Sequence, residues 1–347
     1  MDETDRLMPI SSALGSSALL PAGLGFRNVL INGDFKVWQR GTSGVMATGF
    51  GTGYLADRWT SARAGYAAGG TVSRQTASLD GFQYCARVQR DSGNTSTVSS
   101  WYFQTLETVT SIPLVNKPVV YSFYIRAGAN FSGTVTAQLY SGTATDQGSY
   151  PNTGITGSVT VIASALSLTT SWQRVVLYGN VGASATQLFA GFQHVPSGTA
   201  GAADYYEVTG VQLEQNYQPT PFEQRPYGVE LALCQRYYFK YYGKSGGYGR
   251  IPSTGSSYGG AAWQGVVNMP TTMRTTPSSI DYSGIGCTDN VSFDSAAFTG
   301  VTLNTANSHS DGLFITTSGG SGITSGAGQI LILRGEASAY FGIGAEL

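Results

Sequence analysis

The chain has 347 residues, a length that accommodates two domains, and a formal charge of −1. Charged residues make up 11% of it, less than half of the roughly 25% usual in globular proteins, while hydrophobic residues reach 41% and aromatics 12%. That balance excludes a disordered chain, and with no Lys/Arg cluster a nucleic-acid partner has no electrostatic basis. No apolar stretch is long enough to span a membrane, so no membrane insertion is expected, and the acidic start MDETDRLM lacks the basic region of a signal peptide. Cys85, Cys234 and Cys287 lie far apart, follow no metal or redox spacing, and read as buried small hydrophobes of a chain made in a reducing compartment.

Residues 1–27 are punctuated by Pro9, Gly15, Pro21, Gly23 and Gly25 around a weakly apolar run, without helix caps or strand alternation. They read as an extended arm that gains order only against a partner. From Asn28 to about Pro226 the period is two. In VVYSFYIRA, Val119, Tyr121, Phe123 and Ile125 share one face while Val120, Ser122, Tyr124 and Arg126 share the other, and TVTAQLYSG alternates in the same way. WQRVVLYGNV and QLFAGFQHV follow suit, with Gly, Ser, Asn and Pro turns between runs. Many short alternating strands without a βαβ rhythm predict an antiparallel sandwich or jelly roll over 28–226.

Pro219, Pro221 and Pro226 then stiffen a connector. After it, the spacing of Leu231, Cys234 and Tyr238 predicts a helix over 229–238, the one place where a helix is plausible. Residues 227–347 continue with a Tyr- and Gly-rich loop, AAWQGVVNMP, further short strands and the apolar run ILILRGEASAYFGIGAEL, which predict a second, smaller sandwich. The fold class expected is therefore all-β: two antiparallel jelly-roll-like sandwiches with a short inter-domain helix, preceded by the arm.

Several strings are more specific than this composition. NVLINGDFKVWQRGTSG with YLADRWTSA, then YYEVTGVQLEQ and TPFEQRPYGVELALCQRYY, resemble a module found in many phage tail-fibre and tail-tip proteins. The closing ASAYFGIGAEL is similar to the ends of such fibre chains. The resemblance implies a carbohydrate-binding-module-like jelly roll in a homotrimeric fibre. It also implies a place on the virion, at the tail or, as the alternative, on the capsid surface. Residues 1–27 would attach it to other virion proteins of a tail hub, baseplate or capsid, and a host surface glycan would be its ligand. A capsid decoration, head fibre or connector without a ligand is the rival reading, and a glycan-cleaving enzyme a third.

Residues that could carry chemistry are few. Two histidines, His194 and His309, are all the chain offers for a Ser/His or Cys/His pair, and His194 sits in an alternating strand. Gly255, Ser257 and Gly259 match GxSxG, but a nucleophile elbow needs a strand before it and a helix after it, and the flanks are loop-like. Asp34, Asp57, Asp80, Asp204, Glu207 and Glu214 could supply the paired acids of a glycosidase only if two met about 5–10 Å apart. Asp34 with Asp204 or Glu207 could hold a calcium ion, although hydrogen-bonded strand-end carboxylates are the simpler role. No metal and no cofactor is expected. Sugar recognition instead needs aromatic faces with amides and hydroxyls at the rim. Four loops, 42–54, 141–158, 243–263 and 318–328, have that composition. The third is richest, which makes Tyr248, Arg250, Tyr258 and Trp263 the candidate carbohydrate-binding residues. Trp38, Trp59, Trp101 and Trp172 adjoin strand-like runs and are expected in core or interface.

Overall fold

The computed structural model describes residues 26–46, 53–63, 69–148, 154–288, 296–323, 325–326, 328–334 and 337–347. Residues 1–25 of the expected arm, and parts of the 42–54, 141–158 and 318–328 loops, lie outside them.

The alternating runs form two antiparallel sheets packed face to face. In chain order the strands are β1 (Ser43–Val45), β2 (Thr60–Arg63), β3 (Gly70–Leu79), β4 (Phe82–Arg90), β5 (Ser100–Thr105), β6 (Pro118–Ala127), β7 (Thr134–Gly142), β8 (Val159–Leu166), β9 (Gln173–Asn180), β10 (Gln187–Val195) and β11 (Tyr205–Gln215). One sheet runs β1-β3-β4-β11-β6-β9 and the other β2-β5-β10-β7-β8. The crossovers between sheets are those of an all-β jelly roll. Val119, Tyr121, Phe123 and Ile125 of β6 face Ala137, Leu139, Ala190 and Phe192 in one core, together with Trp59, Tyr102 and Tyr206. The period-two reading of β6 thus corresponds to its core-facing phase, and Val120 and Ser122 on the other face are buried as well. Trp38 and Trp59 are buried, and Trp59 donates through Nε1 to the carbonyls of Ile31 and Asn32.

The NVLINGDF string is buried without being strand. Asn28 donates through Nδ2 to the Val211 carbonyl, and the Asn32 Nδ2 bridges the carbonyls of Val37 and Asp57. The distant FEQRP string closes over it. The Glu223 carboxylate accepts from the backbone N–H groups of Arg27 and Asn28, and Arg225 donates to the carbonyls of Leu30 and Asn28. Buried backbone groups must find partners. Here two strings almost 200 residues apart in sequence supply them to each other.

The inter-domain helix spans Tyr227–Gln235, with Pro226 at its N-cap. Its end comes earlier than the spacing predicts. Tyr238 opens β12 (Tyr238–Tyr242), which pairs with β22 (Tyr340–Gly344), so ladder hydrogen bonds claim that residue instead of a further helical turn. A four-residue helical turn at Thr108–Ser111 is an addition that the sequence pattern does not announce. The second body holds β13 (Gly249–Arg250), β14 (Ser253–Tyr258), β15 (Ala262–Asn268), β16 (Ser279–Ser283), β17 (Ile285–Thr288), β18 (Ala296–Ala297), β19 (Gly300–Leu303), β20 (Gly312–Ser318) and β21 (Gly328–Leu333). A three-stranded sheet β12-β22-β16 meets a larger sheet ordered β18-β17-β21-β14-β15-β20-β19, with β13 on β21. Trp263, Leu313, Ile315, Leu331, Phe341 and Ile343 fill the space between.

A polar seam joins the two bodies. The Glu346 carboxylate receives Arg58 and Arg40, whose guanidinium groups also lie 3.5 Å over the rings of Tyr237 and Tyr238 respectively. Glu107 accepts from Arg236 and from the Tyr237 hydroxyl, and Gln39 donates to both Asp57 and the Tyr238 carbonyl. Burial pushes the Asp57 carboxyl up to about 7 against the pull of Arg40 and the Gln39 hydrogen bonds.

Candidate functional site

The four residues singled out in the third loop do not converge. Trp263 sits on β15, is 0% exposed, and donates through Nε1 to the Gln329 carbonyl. With no free face, it is a core residue of the second body and cannot serve as a sugar platform. Tyr258 ends β14 beside the turn to β15 and is 63% exposed, while Tyr248 precedes β13 and is 40% exposed. Both strands pair with β21, Gly249 opposite Leu333 and Ser256 opposite Gly328. At roughly 3.3 Å per residue that register sets the two tyrosines about 25 Å apart, too far for one sugar ring. Arg250 stands opposite Ile332, at the Tyr248 end.

The catalytic motifs also resolve into structure. Gly255 and Ser257 lie inside β14, which leads through a tight turn into β15 and not into a helix. His194 is a buried strand residue whose ring Nε2 meets the Ser132 carbonyl at 2.8 Å, and burial lowers its pKa. Five of the six acidic candidates have partners within the fold, while Asp80 is exposed. Asp204 holds Arg90 and both the N–H and hydroxyl of Ser132; Glu207 holds Arg87 and Arg126; Glu214 holds the N–H and hydroxyl of Thr220; Asp34 holds Lys36. Among the described residues no group of three or more His, Cys, Asp or Glu could hold a metal ion. Where the sequence offered Asp204 and Glu207 for calcium, guanidinium groups supply the positive charge.

Aromatic, amide and hydroxyl side chains gather on the face of the β2-β5-β10-β7-β8 sheet that is turned away from the jelly-roll core. Because β5, β10 and β7 pair in register, the residues off the core phase fall into cross-strand rows. Ala62, Trp101, Gln193, Thr136 and Ala165 form one row, and Thr60, Phe103, Gly191, Gln138 and Ala163 form the next. Cross-strand neighbours on one face touch. Gln138 donates through Nε2 to the Gln193 Oε1 at 2.8 Å, which fixes both amides and leaves the Nε2 donors of Gln193 for another acceptor. The Gln138 Oε1 is buried with no hydrogen-bond partner among the described residues. Gly191 is required where it stands: a Cβ there would lie 2.4 Å from the Phe103 Cβ and from the Tyr102 carbonyl oxygen. Thr60, Ala62, Phe103, Gly191 and Gln138 are buried, Trp101, Thr136 and Gln193 are half-buried, and Ala163 and Ala165 at the β8 edge are exposed. The result is a shelf with an indole at one side, small residues at the other, and amide and hydroxyl groups between.

Neither a family model nor a curated protein matches this sequence. Among solved structures, a candidate sugar-binding protein of Bacteroides thetaiotaomicron matches at 13% identity over 55% of this chain and 100% of its own, with a TM-score of 0.36. The module TmCBM61, solved with β-1,4-galactotriose, matches at 16% identity over 55% of this chain and 100% of its own, with a TM-score of 0.33. The enzymatically active domain of tailspike protein 4 from bacteriophage CBA120 matches at 14% identity over 46% of this chain and 19% of its own, with a TM-score of 0.33. These are partial likenesses.

Of the shelf residues, the sequence exposes only Trp101 as noteworthy, and there it reads as core or interface. Alternation does place Gln138 and Gln193 off the core phase. Their meeting depends on strand order in the sheet, which no local pattern encodes.

Proposed function

We propose that this chain is a structural virion protein, a short trimeric phage tail fibre attached through residues 1–27, that recognises a host surface glycan through its jelly roll without cleaving it. The observation that carries glycan recognition is the fixed Gln138–Gln193 amide pair beside Trp101 on the outward sheet face. Aromatic surface stacks on the C–H groups of a pyranose, and oriented amides discriminate among its hydroxyls. The partnered state of Asp204, Glu207 and Glu214 and the burial of Asp57 support binding over hydrolysis, since paired-acid cleavage needs one carboxyl that can reach the substrate to donate and another free to attack or activate water. The virion and trimer readings rest on the tail-fibre resemblance of the strings at 28–44, 54–62 and 205–238, and three copies would convert weak sites into firm attachment.

The test uses the purified full chain on host cells. Retention of the wild type, with loss in Trp101→Ala and Gln193→Ala variants of unchanged melting temperature, supports the reading. Equal retention of wild type and both variants removes the shelf from it. A monomer by light scattering would overturn the trimer. Immunogold labelling confined to the capsid would replace the tail fibre by a head decoration.

A further inference from the structure

A second surface combines exposed aromatics with amides, and it shares no residue with the shelf. A groove of about 220 Å³ is lined by Pro118, Val119, Tyr178, Gly179, Asn180, Asn216 and Tyr217. It lies along β9, the edge strand of the six-stranded sheet, where Pro118 stands opposite Asn180 and Val119 opposite Gly179. A Cβ on Gly179 would come within 2.9 Å of side-chain atoms of Val161 and Ile162 on β8. Position 179 therefore faces the other sheet, and Tyr178 and Asn180 face away from it, as strand alternation requires.

The second wall is built by the chain leaving β11. Thr220 is anchored to the buried Glu214 carboxylate through both its N–H and its hydroxyl, and its carbonyl accepts from Arg174. This anchor folds residues 216–220 back over the sheet. Asn216 accepts from the Tyr217 N–H at 2.8 Å, and the turn holds its amide at the groove. The Asn216 Oδ1 is thereby used, and its Nδ2 donors remain. Tyr217 is 75% and Tyr178 58% exposed. Two large apolar rings left in water beside two amides form a surface whose exposed area is recovered only when something covers it.

We propose that this groove is a second saccharide-contact site that takes a single neutral pyranose unit. No lining residue is charged, so it offers nothing specific to a carboxylate or phosphate. Its volume is below the roughly 300–1,000 Å³ that encloses a drug-sized ligand, so it fits one ring of a longer chain and not a buried oligosaccharide. Tyr178 and Tyr217 supply stacking faces, and Asn180 and Asn216 supply hydrogen bonds to ring hydroxyls. The site deepens the glycan-recognition reading by adding a point of contact distant from the shelf, where a long surface polysaccharide could be held twice by each chain.

The experiment is a nuclear magnetic resonance titration of the full chain, methyl- and amide-labelled, with lactose, cellotriose, β-1,4-galactotriose and 3′-sialyllactose. Shifts at Tyr178, Asn180, Asn216 and Tyr217 with a neutral sugar support the inference. Affinity at the groove should fall roughly fivefold to tenfold in Tyr217→Ala and in Tyr178→Ala, persist in Tyr217→Phe, and be unchanged in Trp101→Ala. Both tyrosines are exposed, so the alanine variants should fold; a thermal melt checks this. Neutral sugars that shift shelf residues but never groove residues overturn this site and leave the proposed function standing. Silence at both surfaces overturns both. A response to 3′-sialyllactose exceeding that to lactose overturns the assignment to neutral sugars.

Discussion

Removing the Arg90 guanidinium should be among the most damaging single changes in the jelly roll. Its side chain is 3% exposed and its two terminal nitrogens reach six oxygens. Nη1 donates to Asp204 Oδ2 at 2.8 Å, to Ser132 Oγ at 2.9 Å and to the Ser197 carbonyl at 3.3 Å. Nη2 donates to the carbonyls of Asn94, Ser96 and Gly198 at 2.8, 3.1 and 3.0 Å. One planar cation thus closes three loops at the end of the sandwich where Ser100 and His194 pair, next to Trp101 and Gln193. In Arg90→Ala the Asp204 carboxylate, 0% exposed, keeps only its Ser132 hydrogen bonds. Stranding one partner of a buried ion pair costs about 3–5 kcal/mol, a large part of the roughly 5–15 kcal/mol that stabilises a domain. Urea unfolding followed by tryptophan fluorescence measures the loss. Arg90→Lys should recover only a minor part, because an ammonium cannot span six acceptors. The Arg90→Ala, Asp204→Asn double variant should lose clearly less than the sum of the two singles. A loss below about 1 kcal/mol in Arg90→Ala, with an unchanged denaturant slope, would refute the reasoning by showing that water replaces the guanidinium at no great expense.

Three other outcomes follow from the same structure. Trp263→Ala should destabilise the second body by about 3–5 kcal/mol as a buried aromatic deletion, whereas Tyr248→Ala and Tyr258→Ala should change stability by no more than about 0.5 kcal/mol; calorimetry compares them directly. Asp57, faced by Gln39, Arg40 and Glu346, has its carboxyl raised by burial from 3.8 to about 7. Between those values the folded state binds more protons than the unfolded chain, so this group's stabilisation is complete below about pH 4 and is lost as pH rises through 7. The wild-type minus Asp57→Asn difference in unfolding free energy should therefore decline from pH 5 to pH 8, and a flat difference would refute the shift. Glu346→Ala should leave the buried Arg58 without its carboxylate and weaken the seam, splitting a single calorimetric transition into two.

Period-two alternation fixed where most strands run and which phase is core, as Val119, Tyr121, Phe123 and Ile125 show, because side-chain direction along a strand is a local consequence of the pleat. The same logic marks His194 as a strand residue, but it reads the flanks of GxSxG as loop-like where β14 and β15 stand, because those strands are held by pairing with β21 and β20, distant in the chain. The end of the helix escapes the local pattern because Tyr238 is claimed by pairing with Gly344, over a hundred residues away. The Tyr248–Trp263 segment, strand rather than loop over much of its length, does not make one site for a related reason. Its composition is that of a recognition surface, but the register along β21 separates its tyrosines and packing buries its tryptophan. Composition, alternation and the turn residues thus determined an all-β, weakly charged sandwich protein, because those properties act between residues close in the chain. Only the tertiary structure decided which side chains share a surface: the Gln138–Gln193 pair, the Tyr178–Tyr217 groove and the Arg90 knot each join residues whose proximity comes from strand order and loop return, free-energy choices made by the whole core at once.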